Sequence, residues 1–176
     1  LVAKNRSKKY TTMARLQLHE QAHGCDMTEP DVSTDLNDYG FSTEIRVRLS
    51  ETDAVGIVFF GSFASYFDVG RMDYLAHLNL DRFDGQIRDL IPGAVIHQQV
   101  RFRAPSHYND SLVMHVRISN IGETSYTFHF LVNNKRDRRL VATGTMTMVW
   151  LDDTFKPVRV PDEFRAVVSA FEAFTD

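Results

Sequence analysis

The sequence predicts an α+β fold in which an antiparallel sheet packs against one long central helix. Three features carry that expectation: apolar–polar alternation of period two in several separate stretches, a helical apolar stripe after the first of them, and a short amphipathic stripe near the end. Phe41, Thr43, Ile45, Val47 and Leu49 alternate with Ser42, Glu44, Arg46, Arg48 and Ser50, the pattern of a half-buried strand. The period then changes. Phe63, Tyr66, Phe67, Gly70, Tyr74, Leu75 and Leu78 share one face of a helix, with Ser62 placed as its N-cap. Gly70 inside that stripe costs about 1 kcal/mol against Ala, so a close neighbour is expected there.

Alternation returns after a loop marked by Gly85 and Pro92-Gly93. Ala94, Ile96, Val100 and Phe102 define one face of the second strand, broken by Gln98, with His97, Gln99, Arg101 and Arg103 on the other. Leu112, Met114, Val116 and Ile118 mark a third strand, Tyr126, Phe128, Phe130 and Val132 a fourth, and Leu140 to Leu151 a fifth. The turns are read at Ile121-Gly122-Glu123, Asn133-Asn134-Lys135 and Asp152-Asp153. Matching the apolar faces of strands three and four requires paired residue numbers with an even sum. That predicts an odd-length loop about Gly122-Glu123-Thr124, or a bulge. Pro161, Asp162 and Glu163 open a last helix whose stripe is Phe164, Val167, Val168 and Phe171. The sheet edges have only that short helix to help cover them, so dimerisation by edge pairing is expected.

Composition narrows the class. The chain has 176 residues, 43% hydrophobic and 24% charged, with a formal charge of −3. One domain with a real core fits this length. Residues 1–19 carry Lys4, Arg6, Lys8, Lys9 and Arg15 and no acid, whereas residues 20–40 carry six acids and no Lys or Arg. Without sustained periodicity, residues 1–40 are expected to form a mobile tail ahead of a domain over 41–176. A single cysteine, Cys25, excludes a disulfide framework and falls in that tail, away from any fixed base. No apolar run reaches about 18 residues, so no membrane-spanning helix is expected. The net negative charge argues against nucleic acid, and a cytoplasmic setting is the expectation.

Chemistry concentrates in residues 50–71. A strand ends, a short loop carries Asp53 and Gly56, and the long helix begins near Gly61. A buried helix N-terminus presents unpaired N–H groups and the positive end of the dipole, which suits an oxyanion formed in acyl transfer. A carboxylate beside it can act as general base on water or attack an acyl carbon. On local grounds Asp53 also fits a plain turn carboxylate, and Glu51 is a second candidate acid.

The stretch from Ile45 to Leu75 resembles the 4-hydroxybenzoyl-CoA thioesterase family of hotdog-fold acyl-CoA thioesterases. The matching residues are Thr52-Asp53, Gly56, Val58, Gly61-Ser62-Phe63, Asp68 and Arg71, followed by Phe102-Arg103-Ala104-Pro105 and Tyr108-Asn109-Asp110. Gly122, Ser125, Val141-Ala142, Gly144 and Lys156-Pro157 extend the likeness over roughly residues 41–172. The resemblance implies a hotdog fold, with the sheet wrapped around the central helix, and a homodimer or homotetramer whose subunits share sites. It implies Asp53 as the catalytic carboxylate, a backbone N–H of Phe60 or Gly61 on the thioester carbonyl, and Ser62 in the site. Phe60 stands where many relatives carry His, and Ser62 where many carry Asn. A non-catalytic acyl-CoA-binding or regulatory hotdog protein is therefore the alternative reading.

Beside those four, Gly56, Val58, Phe59 and Phe63 are candidates for contact with a small, medium-chain or aromatic acyl group, although aromatic residues also fill ordinary cores. Arg101 and Arg103, with the Lys135–Arg139 run, are the cations to test against CoA phosphates. Coenzyme A enters only as part of the substrate, and no other cofactor is expected. His115 and His129 share a polar face without an evident third ligand, so no metal is expected.

Overall fold

A computed structural model describes residues 32–81 and 93–172, so Cys25, Gly85 and Pro92 lie outside the described residues. The first strand, β1 (Phe41–Arg46), keeps the expected alternation and then stops. The chain turns through a short helical turn at Leu49–Glu51. Val47 is buried, but Leu49 is 68% exposed, because the helical turn rotates it off the strand's inner face. The central helix α1 (Ser62–His77) buries Phe63, Tyr66, Phe67, Gly70, Tyr74 and Leu75, all members of the predicted stripe. Then follow β2 (Gly93–Phe102), β3 (Ser111–Ile121), β4 (Ser125–Asn134), β5 (Leu140–Trp150) and α2 (Asp162–Glu172).

The five strands form one antiparallel sheet in the order β1-β3-β4-β5-β2. Both helices pack on one face of it. Phe67 of α1 stacks on Phe130 at 4.2 Å, and Phe164 of α2 meets Tyr126 at 4.9 Å and Trp150 at 5.1 Å. Gly70 is where α1 comes closest to β3: a Cβ there would stand 2.5 Å from Met114 Cε and 3.2 Å from Val116 Cγ2. Leu112, Met114, Val116 and Ile118 on β3, with Tyr126, Phe128, Phe130 and Val132 on β4, are buried as the alternation predicts.

In the hairpin between β3 and β4 the bulge sets the parity, since beside the loop Ile121 pairs with Tyr126, an odd sum. The loop has three residues, Gly122 to Thr124, closed by Gly122 N–H donating to Ser125 O at 2.8 Å. A register shift between Ile118 and Asn120 then brings Ile118 opposite Phe128, restoring the even sum that matches the apolar faces. A second irregularity, between Val95 and His97, changes the reading of β2. Val95 rather than Ala94 pairs with buried Met148, and Ile96 and Phe102 are 61% and 51% exposed. β2 is an edge strand, and among the described residues its Ile96 and Phe102 stay largely uncovered. The β4–β5 turn also falls later than expected, since β4 runs through Asn134.

Glu172, at the end of α2, ties the layers together. Its Oε1 accepts from Tyr74 O–H at 2.5 Å and from the Ile118 amide at 3.0 Å, and Arg117 Nε lies 3.6 Å from Oε2. Burial raises the Glu172 pKa above the ordinary carboxylate range.

Candidate active site

The site is built from the segment joining β1 to α1. Thr52 and Val58 form an antiparallel bridge, Asp53 N–H donates to Ile57 O at 2.9 Å, and Gly56 N–H donates to Asp53 O at 3.0 Å. Gly56 sits at φ 86°, a left-handed turn position that favours glycine. Asp53 Oδ1 accepts the Val55 amide at 2.8 Å and the Ile57 amide at 3.4 Å, so the carboxylate organises its own turn. A second loop braces the first: Val58 N–H donates to Ser106 O at 2.8 Å, and Ile57 bridges His107.

The entrance to α1 differs from expectation in one detail. Gly61, not Ser62, occupies the N-cap position, and no side chain caps the helix. Ser62 is the first helical residue, and its Oγ donates to Glu51 O at 3.2 Å. Ahead of it the chain already winds in tight three-residue turns. The amides of Ser62, Phe63 and Ala64 donate to the carbonyls of Phe59, Phe60 and Gly61, and the Phe59 amide donates to Glu51 O. None of the described hydrogen bonds uses the amides of Phe60 and Gly61. They are the foremost donors at the positive end of α1.

The structure therefore joins Asp53, Gly56, Val58, Phe59, Phe60, Gly61, Ser62 and Phe63 in one continuous unit. Val58 and Phe63 are buried, whereas Phe59 and Phe60 are 45% and 69% exposed. The Phe59 and Phe60 rings lie 4.4 Å apart, and the Phe63 ring meets Phe102 of β2 at 5.1 Å. Arg101 pairs with Thr143, one position from the Val100–Gly144 pair that faces Phe67 of α1, which puts Arg101 on the far face of the sheet. Arg103 follows the end of β2 and is exposed. In the hairpin run, Lys135 pairs with Glu44 at 2.5 Å and Arg139 donates to Pro105 O at 3.1 Å. Asp68 and Arg71 pair on α1 as their spacing suggests, at 2.6 Å.

Glu51 is also engaged. Its Oε2 accepts Tyr66 O–H at 2.8 Å and the Arg48 amide at 2.7 Å. Sequence reasoning did not single out Tyr66 for the site, because it sits in an apolar helical stripe where only its hydroxyl sets it apart from a core aromatic. On the far face, burial and nearby Arg117 push the His129 pKa down to about 4. Among the described residues, no three His, Cys, Asp or Glu side chains gather as a metal site. No helix among them is long and apolar enough to cross a membrane.

Comparison with known proteins identifies the family. Residues 47–168 match the family model of the thioesterase-like superfamily. An acyl-acyl carrier protein thioesterase of Arabidopsis thaliana is 26% identical over 70% of this chain, which spans 64% of that protein's length. An acyl-CoA thioesterase of Haemophilus influenzae is 24% identical, over 73% of this chain and 94% of its own. Among solved structures, a Thermus thermophilus thioesterase complexed with coenzyme A and Zn superposes with a TM-score of 0.69 at 21% identity, over 80% of this chain and all of that one. A DHNA-CoA thioesterase from Staphylococcus aureus gives 0.67 at 24% identity, over 75% of this chain and 90% of that one. With the sheet packed around α1 and the family match extending from the Asp53 loop into α2, the chain belongs to the thioesterase-like superfamily, a hotdog-fold family of thioester hydrolases.

Proposed function

We propose that this chain hydrolyses the thioester of a small, medium-chain or aromatic acyl-CoA, in the manner of the 4-hydroxybenzoyl-CoA thioesterases. The observation that carries the reading is the pairing, within one short segment, of a turn-anchored carboxylate with two helix-N-terminal amides that no hydrogen bond among the described residues uses. The thioester carbonyl oxygen accepts from the Phe60 or Gly61 amide, and Ser62 borders the site. Asp53 activates water or attacks the carbonyl carbon, and charge collecting on the oxygen is met by the amides and the helix dipole. Oδ1 anchors the turn, which leaves Oδ2 as the reacting oxygen. Aspartate, amides and water suffice for this chemistry, and CoA enters only with the substrate. Arg103 and the hairpin cations supply positive partners for its phosphates.

The acyl group lies against Phe59 and Phe63, with Gly56 and Val58 shaping the wall beside it. Phe59 and Phe60 are exposed at the site, and β2 is an edge strand among the described residues, with Val95 45% and Ile96 61% exposed. A second copy of the chain covers both, so the working unit is a homodimer or homotetramer. A cytoplasmic setting suits a chain with one cysteine. The test is thiol release from short, medium, long and aromatic acyl-CoAs, alongside calorimetric binding of the same set. Turnover of the shorter or aromatic members supports the reading. Tight binding without release on any member would establish the non-catalytic alternative instead.

A further inference from the structure

Glu51 accepts four hydrogen bonds around the segment that carries Asp53. Its carboxylate holds Tyr66, on the second turn of α1, and the Arg48 amide, while its carbonyl holds the Phe59 amide and the Ser62 hydroxyl. The loop from Thr52 to Phe59 thus leaves Glu51 and returns to it. Tyr66 is 3% exposed and wedged against Phe63 at 5.5 Å, so its hydroxyl is delivered to Glu51 from a rigid part of the core. Burial, then the Glu51 bond, raises the phenol pKa far above its ordinary range, so Tyr66 is the donor and Glu51 the acceptor.

We infer that Glu51 and Tyr66 are a positioning pair: they lock the Asp53 loop onto α1 and set where the Phe60 and Gly61 amides stand, without touching the substrate. The inference rests on the thioesterase reading of this site. Its physical basis is that small displacements of reacting groups cost large factors in rate, whereas this bond fixes both the base-bearing loop and the oxyanion donors through one residue. It also assigns Glu51 a role other than general base, since its carboxylate already serves the Arg48 amide and a tyrosine.

The test compares Tyr66→Phe, Glu51→Gln and Asp53→Asn in the full chain, measuring kcat, KM, the pH–rate profile and backbone hydrogen exchange. Tyr66→Phe keeps the ring packing and is expected to lower kcat roughly tenfold, with KM little changed and the acid limb of the profile in place. Exchange at the Phe59 amide should quicken. Glu51→Gln keeps one acceptor oxygen and should retain far more activity than Asp53→Asn. Wild-type kcat and unchanged Phe59 exchange in Tyr66→Phe would overturn the inference. So would a Glu51→Gln variant as inactive as Asp53→Asn that has lost the acid limb, since Glu51 would then be the base. If wild type proves inactive or Asp53→Asn unimpaired, the thioesterase reading fails, and the exchange rates alone decide whether the lock exists.

Discussion

At the scale of single residues, a side chain's hydrogen-bond partners separate the candidate acids better than their place in the sequence. Asp53 and Glu51 lie two positions apart, but Glu51 is held by Tyr66 and the Arg48 amide, whereas Asp53 is held by its own turn through Oδ1. No spacing rule displays that difference, because the Tyr66 contact spans fifteen residues and depends on the helix packing. The motif around Asp53 was legible; its second supporting layer was not. His129 gives a prediction at the same scale. It is 8% exposed, and its pKa in the fold is about 4 against about 6.5 when unfolded, so the unfolded chain binds the proton more readily. Its contribution to stability is complete above pH about 6.5 and declines as pH falls toward 4, by on the order of 2 kcal/mol. Thermal melts between pH 7 and 4.5 should show a steeper loss for wild type than for His129→Leu; parallel slopes would refute the assignment.

At the scale of elements, most of the fold could be read from periodicity, and the departures share one cause. The β3 and β4 alternation, the α1 stripe and the α2 stripe all follow their predicted faces. The deviations at Leu49, Val95 and Ile96 arise where a strand ends in a helical turn or bulges, which shifts the phase of every later residue without leaving a composition signal. Parity did reveal the irregularity in the β3–β4 hairpin, because two long buried faces had to match. Gly70 is the element-scale prediction. Alanine there gains helix propensity, but its Cβ would press on Met114 and Val116, both fully buried. Gly70→Val should therefore destabilise by about 1–3 kcal/mol in denaturant melts, with Gly70→Ala milder because the Met114 tip can yield. A neutral Gly70→Val would mean that α1 does not approach β3 this closely.

At the scale of the whole molecule, the two helices cover one face of the sheet while β2, at its edge among the described strands, carries exposed Val95, Ile96 and Phe102, the last meeting Phe63 of α1 at 5.1 Å. Sedimentation at micromolar concentration should show a dimer or tetramer, and Ile96→Glu should shift it toward monomer with loss of turnover; a monomeric, active wild type would contradict the shared-site assembly. The central claim concerns the chemistry, and it has a direct test. Steady-state thiol release by wild type and Asp53→Asn, with circular dichroism confirming the same fold, should show kcat/KM lower by about 100-fold or more in the variant. A folded Asp53→Asn protein that releases thiol at the wild-type rate would contradict the account.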